Sequence, residues 1–286
     1  MEFVEKIKRV GLFQAIDDLM GNFFSYLKYL MCLLNKRTYF GSYLAAKQGK
    51  VIRHYFMQKL VENYCENINC QVKILEIGSW AGGSAITWAS ALERYSQQEG
   101  MVLCLDQWRD YINPVDSKWT ARSMKKALRT NKIFNLFLHN ITASKRKDTI
   151  SIFKIHSSCG LSMFRKDLFD IIFIDGSHYY EDVYSDIKKS APLLKEGGIL
   201  CGDDLELQFP YIDQNNIKKL LNCDVSVDCF TNNNFHPGVT LATWEYFKNE
   251  VACWEGFWAM RKRGEKWEKI ILEIDQKDIK IPDHLR

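Results

Sequence analysis

The stretch VKILEIGSWAGGS, residues 72–84, joins an apolar run to a turn with three glycines. Further apolar runs follow it: MVLCLD (101–106), SIFKIH (151–156), DIIFID (170–175) and GILCGDD (198–204). Most are continuous rather than alternating, which is typical of strands buried on both faces of a parallel sheet. We therefore predict a strand in each run and a ligand site where the first strand meets its glycines.

Helical patterns separate these runs at Ser84 to Tyr95, Trp119 to Arg129 and Tyr180 to Leu194, and the glycines of Lys195–Gly198 should end the last helix. Alternating strands and helices predict an α/β fold with an open parallel sheet and helices on both faces. Beyond residue 205, two more strands are expected at 225–230 and 239–244.

Three parts of the chain are predicted. A main domain (71–250) lies between an N-terminal helical extension (1–70) and a C-terminal β-rich extension (251–286) that packs on the same domain. Apolar residues of the first extension recur at helical spacing: Met20, Phe23, Phe24, Leu27, Leu30, Met31 and Leu34. This face could pack on the main domain or a partner subunit, cover a site as a lid, or lie on a membrane. The opposite face is poor in Lys and Arg, which favours packing, and we expect a homo-oligomer.

Composition excludes several classes of protein. The 286 residues are 47% apolar, which excludes a disordered chain, and the net charge of +4 is too small to indicate a nucleic-acid partner. The nine cysteines include no CxxC pair and indicate reduced thiols in a cytoplasmic protein. Residues 1–10 do not resemble a signal peptide, and the apolar stretch 19–34 is too short and interrupted for a transmembrane segment.

The glycine turn differs from the dinucleotide fingerprint G-x-G-x-x-G. Trp80 stands where the second glycine would be, and Glu76 has the wrong charge for a phosphate but could pair with a cationic ligand. Both features disfavour a NAD-dependent dehydrogenase. Asp106 ends the second strand, where a carboxylate can accept two ribose hydroxyls.

The pattern E-x-G-x-x-x-G-G followed by Asp106 resembles class I S-adenosylmethionine-dependent methyltransferases. The resemblance implies their Rossmann-like sheet and S-adenosyl-L-methionine as cofactor, with the glycine loop along its methionine part and Asp106 on its ribose. The candidate cofactor residues of this loop are Glu76, Gly78, Ser79, Gly82 and Ser84.

Acidic residues follow the next two strands of the predicted sheet. Asp175 ends one strand, and Asp203 and Asp204 end the other. Adjacent strand ends lie about 4.8 Å apart, so these carboxylates can converge. With few cations expected beside them, they could hold Mg²⁺ or Mn²⁺, although a single Asp could instead cap a helix.

His178 lies at the same site. With an ordinary pKa of about 6.5, its imidazole would be largely neutral at pH 7 and suited to act as a general base. Alternatively, His178 could hydrogen-bond the backbone of the loop.

The motifs DGSHYYE (175–181) and GDD (202–204) resemble those of macrocin-type, metal-dependent sugar O-methyltransferases, over about residues 70–205. The resemblance implies Asp175, Asp203 and Asp204 as metal ligands and His178 as the base. It also implies further cofactor contacts at Gln107, Trp108, Ser157, Ser158 and Asp175.

The function implied is S-adenosylmethionine- and divalent-metal-dependent O-methylation of a sugar hydroxyl on a small-molecule or glycan acceptor. Two alternatives remain open. One is a catechol-type phenolic O-methyltransferase, because vicinal hydroxyls chelate a metal in either case. The other is a non-catalytic S-adenosylmethionine- or nucleotide-binding domain.

Overall fold

A computed structural model describes residues 12–66, 71–111, 119–274, 277 and 279–285, with side chains described from 21 and, after residue 111, from 122. Our interpretation of residues 1–10 as unlike a signal peptide lies outside the described residues. So do parts of the predicted domains, namely 1–11, 67–70, 112–118, 275, 276, 278 and 286.

Each predicted apolar run from 72 to 204 contributes a strand. The strands are β1 (Lys73–Ile77), β2 (Met101–Asp106), β3 (Ile150–Lys154), β4 (Phe169–Ile174) and β5 (Leu194–Gly202). They form a parallel sheet in the order β5-β4-β1-β2-β3. The chain runs from β1 outward to β3 and then crosses back to β4, so the order reverses between β1 and β4. In open α/β sheets, ligands bind at the carboxyl ends of the strands beside such a reversal.

The C-terminal strands extend this sheet in the antiparallel sense. They are β8 (Ala252–Trp254), β9 (Phe257–Arg263) and β10 (Lys266–Lys269). Strand β9 pairs with β5 and with both of the others. A separate two-stranded sheet joins β6 (Ser226–Val227) to β7 (Asn234–Phe235).

Helices cover both faces of the sheet, as predicted. They are α1 (Leu12–Leu34), α2 (Arg53–Cys65), α3 (Gly83–Tyr95), α4 (Trp119–Arg129), α5 (Lys132–Ala143), α6 (Ser157–Gly160), α7 (Tyr180–Ser190) and α8 (Pro237–Phe247). One hydrophobic cluster lies between the sheet and α2, α3 and α5, and a second between the sheet and α7 and α8. Alternate residues of β1 point to each cluster, because side chains of a strand alternate between its faces. The α/β fold prediction is confirmed.

Two local predictions were wrong. Residues 239–244 were predicted as a strand but lie in helix α8, which begins at Pro237. Because residues 237–243 are all buried, their sequence does not show the apolar–polar period of a surface helix. Lys195–Gly198 lie in β5 rather than at a helix stop, because α7 ends at Ser190 and a 3₁₀ turn, Ala191–Leu193, leads directly into the strand. Helix α5 was not predicted.

Four apolar residues of α1 are exposed in the part of the chain that the structure describes. Phe23, Phe24, Met31 and Leu34 are 57%, 60%, 63% and 82% exposed. The expected packing of this face on the main domain or on a partner subunit stays a prediction. Another side of the helix makes the contacts: Tyr29 packs on the rings of Tyr39 and Tyr43. Among the described residues, no helix combines the length and apolarity needed to cross a bilayer.

Candidate functional site

Gly78 brings the loops after β1 and β4 into backbone contact. Its φ of +85° is in the left-handed region, and an added Cβ would collide with the carbonyl oxygen of Asp175. The Gly78 amide donates to the Leu105 carbonyl at 3.0 Å, and the Asp175 amide donates to the Ile77 carbonyl at 2.8 Å. Only glycine at this position lets the two strand ends approach so closely.

Asp106 holds the glycine loop through backbone amides. Its Oδ2 accepts from the amides of Ser79 (2.9 Å) and Trp80 (3.1 Å), and its Oδ1 accepts from the amide of Trp108 (2.6 Å). Each carboxylate oxygen has two lone pairs, so one acceptor position remains, on Oδ1. The expectation that Asp106 accepts ribose hydroxyls stays a prediction, and Oδ1 is the oxygen with room for one. Gln107 lies beside it in the same cavity wall.

Glu76 lies below the cavity wall rather than in it. Its side chain is completely buried, and the Ser84 hydroxyl, which does line the cavity, donates to Glu76 Oε1 at 3.1 Å. Burial raises the pKa of Glu76 to about 8, so its neutral form predominates at pH 7. The sequence indicated that Glu76 could pair directly with a cationic ligand. In the structure, the Glu76 side chain lies one layer behind Ser84 instead.

The segment after β3 supplies a second part of the wall. Ser157 lines the cavity together with His156, which caps helix α6. Ser158 is turned away: its amide donates to His156 Nδ1 at 3.2 Å and its hydroxyl lies 2.8 Å from the same nitrogen. Of the two predicted serines, only Ser157 is placed to contact a ligand.

The structure brings the three predicted acids together at the ends of β4 and β5. One carboxylate oxygen of each of Asp175, Asp203 and Asp204 lies within 4.8 Å of the others. Burial, together with the charges of Asp203 and Asp204, raises the pKa of Asp175 well above its usual range. Burial and the neighbouring Asp204 raise the pKa of Asp203 to about 7. We call these three residues the acidic cluster.

A buried cation lies against the acidic cluster. Arg53, only 4% exposed, places Nη1 at 2.6 Å from an oxygen of Asp203 and 2.6 Å from an oxygen of Asp204. Its Nη2 donates to Glu206 at 2.7 Å. Burial would lower the pKa of Arg53, but the charges of Asp203 and Asp204 raise it above its ordinary value. The expectation of few cations beside the acids is thus wrong, because helix α2 carries Arg53 in from the N-terminal extension.

His178 stands between two carboxylates. Its Nε2 lies 2.9 Å from Asp204 Oδ2, and its Nδ1 lies 2.6 Å from Asp224 Oδ1. Burial would lower the pKa of His178, but Asp204 and Asp224 raise it well above the ordinary value. The expectation of a largely neutral imidazole at pH 7 is therefore wrong for this arrangement. The same pairing with His178 helps hold the pKa of Asp204 below its usual range, against the effect of burial.

One cavity of about 310 Å³ joins the glycine loop to the acidic cluster. Many of the predicted site residues line it, namely Gly78, Ser79, Ser84, Asp106, Gln107, Ser157, Asp175, His178, Asp203 and Asp204. The other predicted residues, Glu76, Gly82, Trp108 and Ser158, are not in its wall. Gly82 begins helix α3 at a φ of +87°, and Trp108, 1% exposed, packs between Phe134 and Phe137.

The donor set of the acidic cluster fits a divalent cation. Mg²⁺ and Mn²⁺ prefer carboxylate oxygens, and a bound cation would offset the burial and the neighbouring charges that raise the pKa values of Asp175 and Asp203. Both oxygens of Asp204 already contact a cationic or titratable side chain, Arg53 at Oδ1 and His178 at Oδ2. A metal bound there would have to share or replace one of these contacts.

The sequence analysis missed the partners that surround His178 and the acidic cluster. Glu206 bridges Arg53 and His236, whose Nδ1 lies 2.9 Å from Glu206 Oε2, and the His236 ring packs edge-on to His178 at 4.5 Å. No local pattern pointed to Arg53, Asp224 or His236. The partner that the sequence could have indicated is Glu206, because it lies two residues after the GDD motif at the end of β5.

Comparisons with known proteins agree with this geometry. Residues 75–205 match the family model described as a methyltransferase domain, the segment that contains both the glycine loop and the acidic cluster. The search of curated sequences gave no match. Among solved structures, the O-methyltransferase NovP aligns with a TM-score of 0.52 and 17% identity, over 74% of this chain and 80% of NovP.

Two further structures align less well. An O-methyltransferase from Bacillus cereus in complex with SAH has a TM-score of 0.44 and 17% identity, over 83% of this chain and 90% of its own. The calicheamicin methyltransferase CalS11 has a TM-score of 0.46 and 12% identity, over 73% of this chain and 77% of its own. Residues 75–205 are therefore similar to the methyltransferase-domain family, and the fold is shared with an O-methyltransferase of known structure.

Proposed function

We propose that this chain is an S-adenosylmethionine-dependent, divalent-metal-dependent O-methyltransferase that acts on a hydroxyl of a sugar or glycosylated acceptor. The observation that carries the proposal is the shared cavity: Gly78, Ser79 and Asp106 line one part, and the acidic cluster with His178 lines another. A methyl donor and a hydroxyl acceptor can therefore be held side by side. The match of residues 75–205 to a methyltransferase domain supports the reaction type.

In this proposal the cofactor lies over the ends of β1 and β2. Gly78 allows the backbone to approach the methionine part, and the free acceptor position on Asp106 Oδ1 takes one ribose hydroxyl. Ser157 and His156 lie at the end of β3, on the adenine side. Ser84 and the buried Glu76 shape the floor of the loop.

The acceptor lies over the ends of β4 and β5. Asp175, Asp203 and Asp204 would hold the divalent cation, which when bound lowers the pKa of an acceptor hydroxyl. The acceptor proton passes to His178 Nε2, the nitrogen that faces Asp204, while Nδ1 stays hydrogen-bonded to Asp224. For this, Nε2 must be released from Asp204 and must carry no proton; a cation held by the acidic cluster would favour this neutral form by repelling the imidazolium. Asp224 is a positioning residue that keeps the imidazole aimed at the acceptor.

The methyl carbon then bonds to the acceptor oxygen as its bond to sulfur breaks. The protein contributes alignment of oxygen, carbon and sulfur, and fixed orientation of two reactants can lower a barrier by about 7–11 kcal/mol. A sugar acceptor offers neighbouring hydroxyls to a single cation, as a catechol does, so the acidic cluster is compatible with both acceptor classes and a transfer assay distinguishes them.

Binding and transfer assays test the proposal. Calorimetry should show micromolar binding of S-adenosylmethionine and none of NAD, and tight NAD binding would contradict it. With radiolabelled S-adenosylmethionine and Mg²⁺, chromatography should show methyl transfer to sugar nucleotides or glycosides. Transfer to catechols in their place would support the catechol-type alternative, and binding without transfer to either acceptor class would support a non-catalytic domain.

A further inference from the structure

Arg53 is the first residue of α2, and the structure gives each of its guanidinium nitrogens a partner at the acidic cluster or beside it. Its Nε donates to the Glu255 carbonyl at 2.7 Å, on the turn between β8 and β9. Its Nη1 donates to Asp204 Oδ1 at 2.6 Å and its Nη2 to Glu206 Oε1 at 2.7 Å. Such a fork is held in one position, because each hydrogen bond restricts the planar group further.

The charge of this fork is permanent. The guanidinium stays protonated at any ordinary pH, and the surrounding carboxylates raise its pKa further. Nη1 lies 2.6 Å from oxygens of both Asp203 and Asp204, two of the three carboxylates that would bind a metal. A +1 charge therefore lies against the ligand atoms that a +2 ion would need, and the two cations would repel each other.

We propose that Arg53 is a built-in cation of the acidic cluster that competes with the divalent metal for Asp203 and Asp204. The inference rests on the metal site of the proposed function. Under this proposal the N-terminal extension influences the metal affinity, because Arg53 of α2 must give up or share its contact with Asp204 when metal binds. The chain is then expected to bind metal more weakly than its three carboxylates alone would.

Titration of Mn²⁺ into the cofactor-free protein tests this, by calorimetry and by loss of the free-Mn²⁺ signal in electron paramagnetic resonance. Arg53→Met keeps a long apolar stem but removes the charge, and we expect Mn²⁺ to bind at least 10-fold more tightly than to wild type. Arg53→Lys keeps the charge but cannot span the same acceptors, and we expect an intermediate affinity. The control is Lys59→Met, which removes a charge further along the same helix, where Lys59 pairs with Glu62; its affinity should equal that of wild type.

Equal or weaker Mn²⁺ binding by Arg53→Met than by wild type would overturn the competition and leave the metal site of the proposed function intact. If wild type and both Arg53 variants all fail to bind millimolar Mn²⁺, the metal site itself fails, and the inference fails with it. Circular dichroism checks folding. If Arg53→Met folds only when Mn²⁺ is present, that dependence supports the proposal. If Arg53→Met does not fold at all, the comparison of Arg53→Lys with wild type decides, and an unchanged Mn²⁺ affinity of Arg53→Lys contradicts the proposal.

Discussion

Glu76 is a carboxylic acid placed in the interior beside the glycine loop. It is completely buried, and the Ser84 hydroxyl donates to its Oε1. Burial raises its pKa from 4.5 to about 8, so the folded chain binds this proton more tightly than the unfolded chain. The stabilisation from Glu76 is therefore complete below about pH 4.5 and is lost as the pH rises towards 8.

Replacing Glu76 by Gln should remove this pH dependence, because the amide resembles the protonated acid but does not ionise. Urea unfolding of wild type and Glu76→Gln between pH 5 and pH 8 measures it. Relative to the variant, wild type should lose up to about 1.4 kcal/mol of unfolding free energy per pH unit. Parallel curves for the two proteins would show that the carboxyl is not neutral in the folded chain.

His178 carries the proton transfer in the proposed mechanism. His178→Ala should lower kcat roughly 10²–10⁴-fold, the usual size of a general-base contribution. The KM for S-adenosylmethionine should barely change, since His178 lies by the acidic cluster and away from Asp106. His139→Ala is the control, because His139 lies on α5 and its Nε2 is 2.8 Å from the Arg37 carbonyl oxygen rather than at the acidic cluster. Near-normal kcat in His178→Ala would mean that another group takes the proton.

At the scale of elements, Asp170 joins four segments that are distant in sequence. It lies in β4, is 1% exposed, and accepts hydrogen bonds from Tyr64 of α2, from the Lys73 amide of β1 and from Lys195 of β5. A buried carboxylate with these partners holds α2 and the three strands in register. Because α2 begins with Arg53, this junction also bears on the active-site geometry.

Asp170→Ala should lower the free energy of unfolding by about 3 kcal/mol, because it leaves a buried hydroxyl, an amide and an ammonium without their acceptor. Asp167→Ala is the matched control: Asp167 pairs with Lys262 at 3.5 Å with its side chain 66% exposed, so its removal should cost less than about 1 kcal/mol. Urea denaturation monitored by tryptophan fluorescence measures both. Equal losses in the two variants would show that Asp170 does not link the elements.

Across the whole molecule, the proposed cofactor and metal regions lie on different strand ends of one sheet. The glycine loop and Asp106 follow β1 and β2, whereas the acidic cluster follows β4 and β5. Metal and cofactor binding should therefore be separable. The expected homo-oligomer, and the partner for the exposed face of α1, remain predictions.

Exhaustive chelation should abolish methyl transfer, and Mg²⁺ or Mn²⁺ should restore it. Binding of S-adenosylmethionine should persist in chelator, because Asp106 and the loop amides that it holds follow β1 and β2, so that only Asp175 belongs to both predicted sets. Calorimetry in chelator and a transfer assay before and after metal addition measure the two properties. Turnover that survives chelation would show that the acidic cluster is structural and would contradict the metal-dependent mechanism.

Local pattern was sufficient for the strands and for the positions that end them. Continuous apolar runs predicted β1 to β5, and the chemistry of glycine and aspartate at their ends predicted where Asp106 and the acidic cluster would lie. These features follow from the sequence because period, length and turn residues act over a few positions. The period failed where burial was complete on all sides, as in α8.

The partners of those residues depended on the closed fold. Arg53 and Asp204 are 151 positions apart, and His178 and Asp224 are 46 apart, so no local spacing relates them. They meet because α2 packs on one face of the sheet and the segment after β5 packs against Tyr180 at the start of α7. Burial then raises the pKa of Glu76, whereas Asp204 and Asp224 outweigh the effect of burial on His178. Both effects depend on everything that surrounds the group in three dimensions.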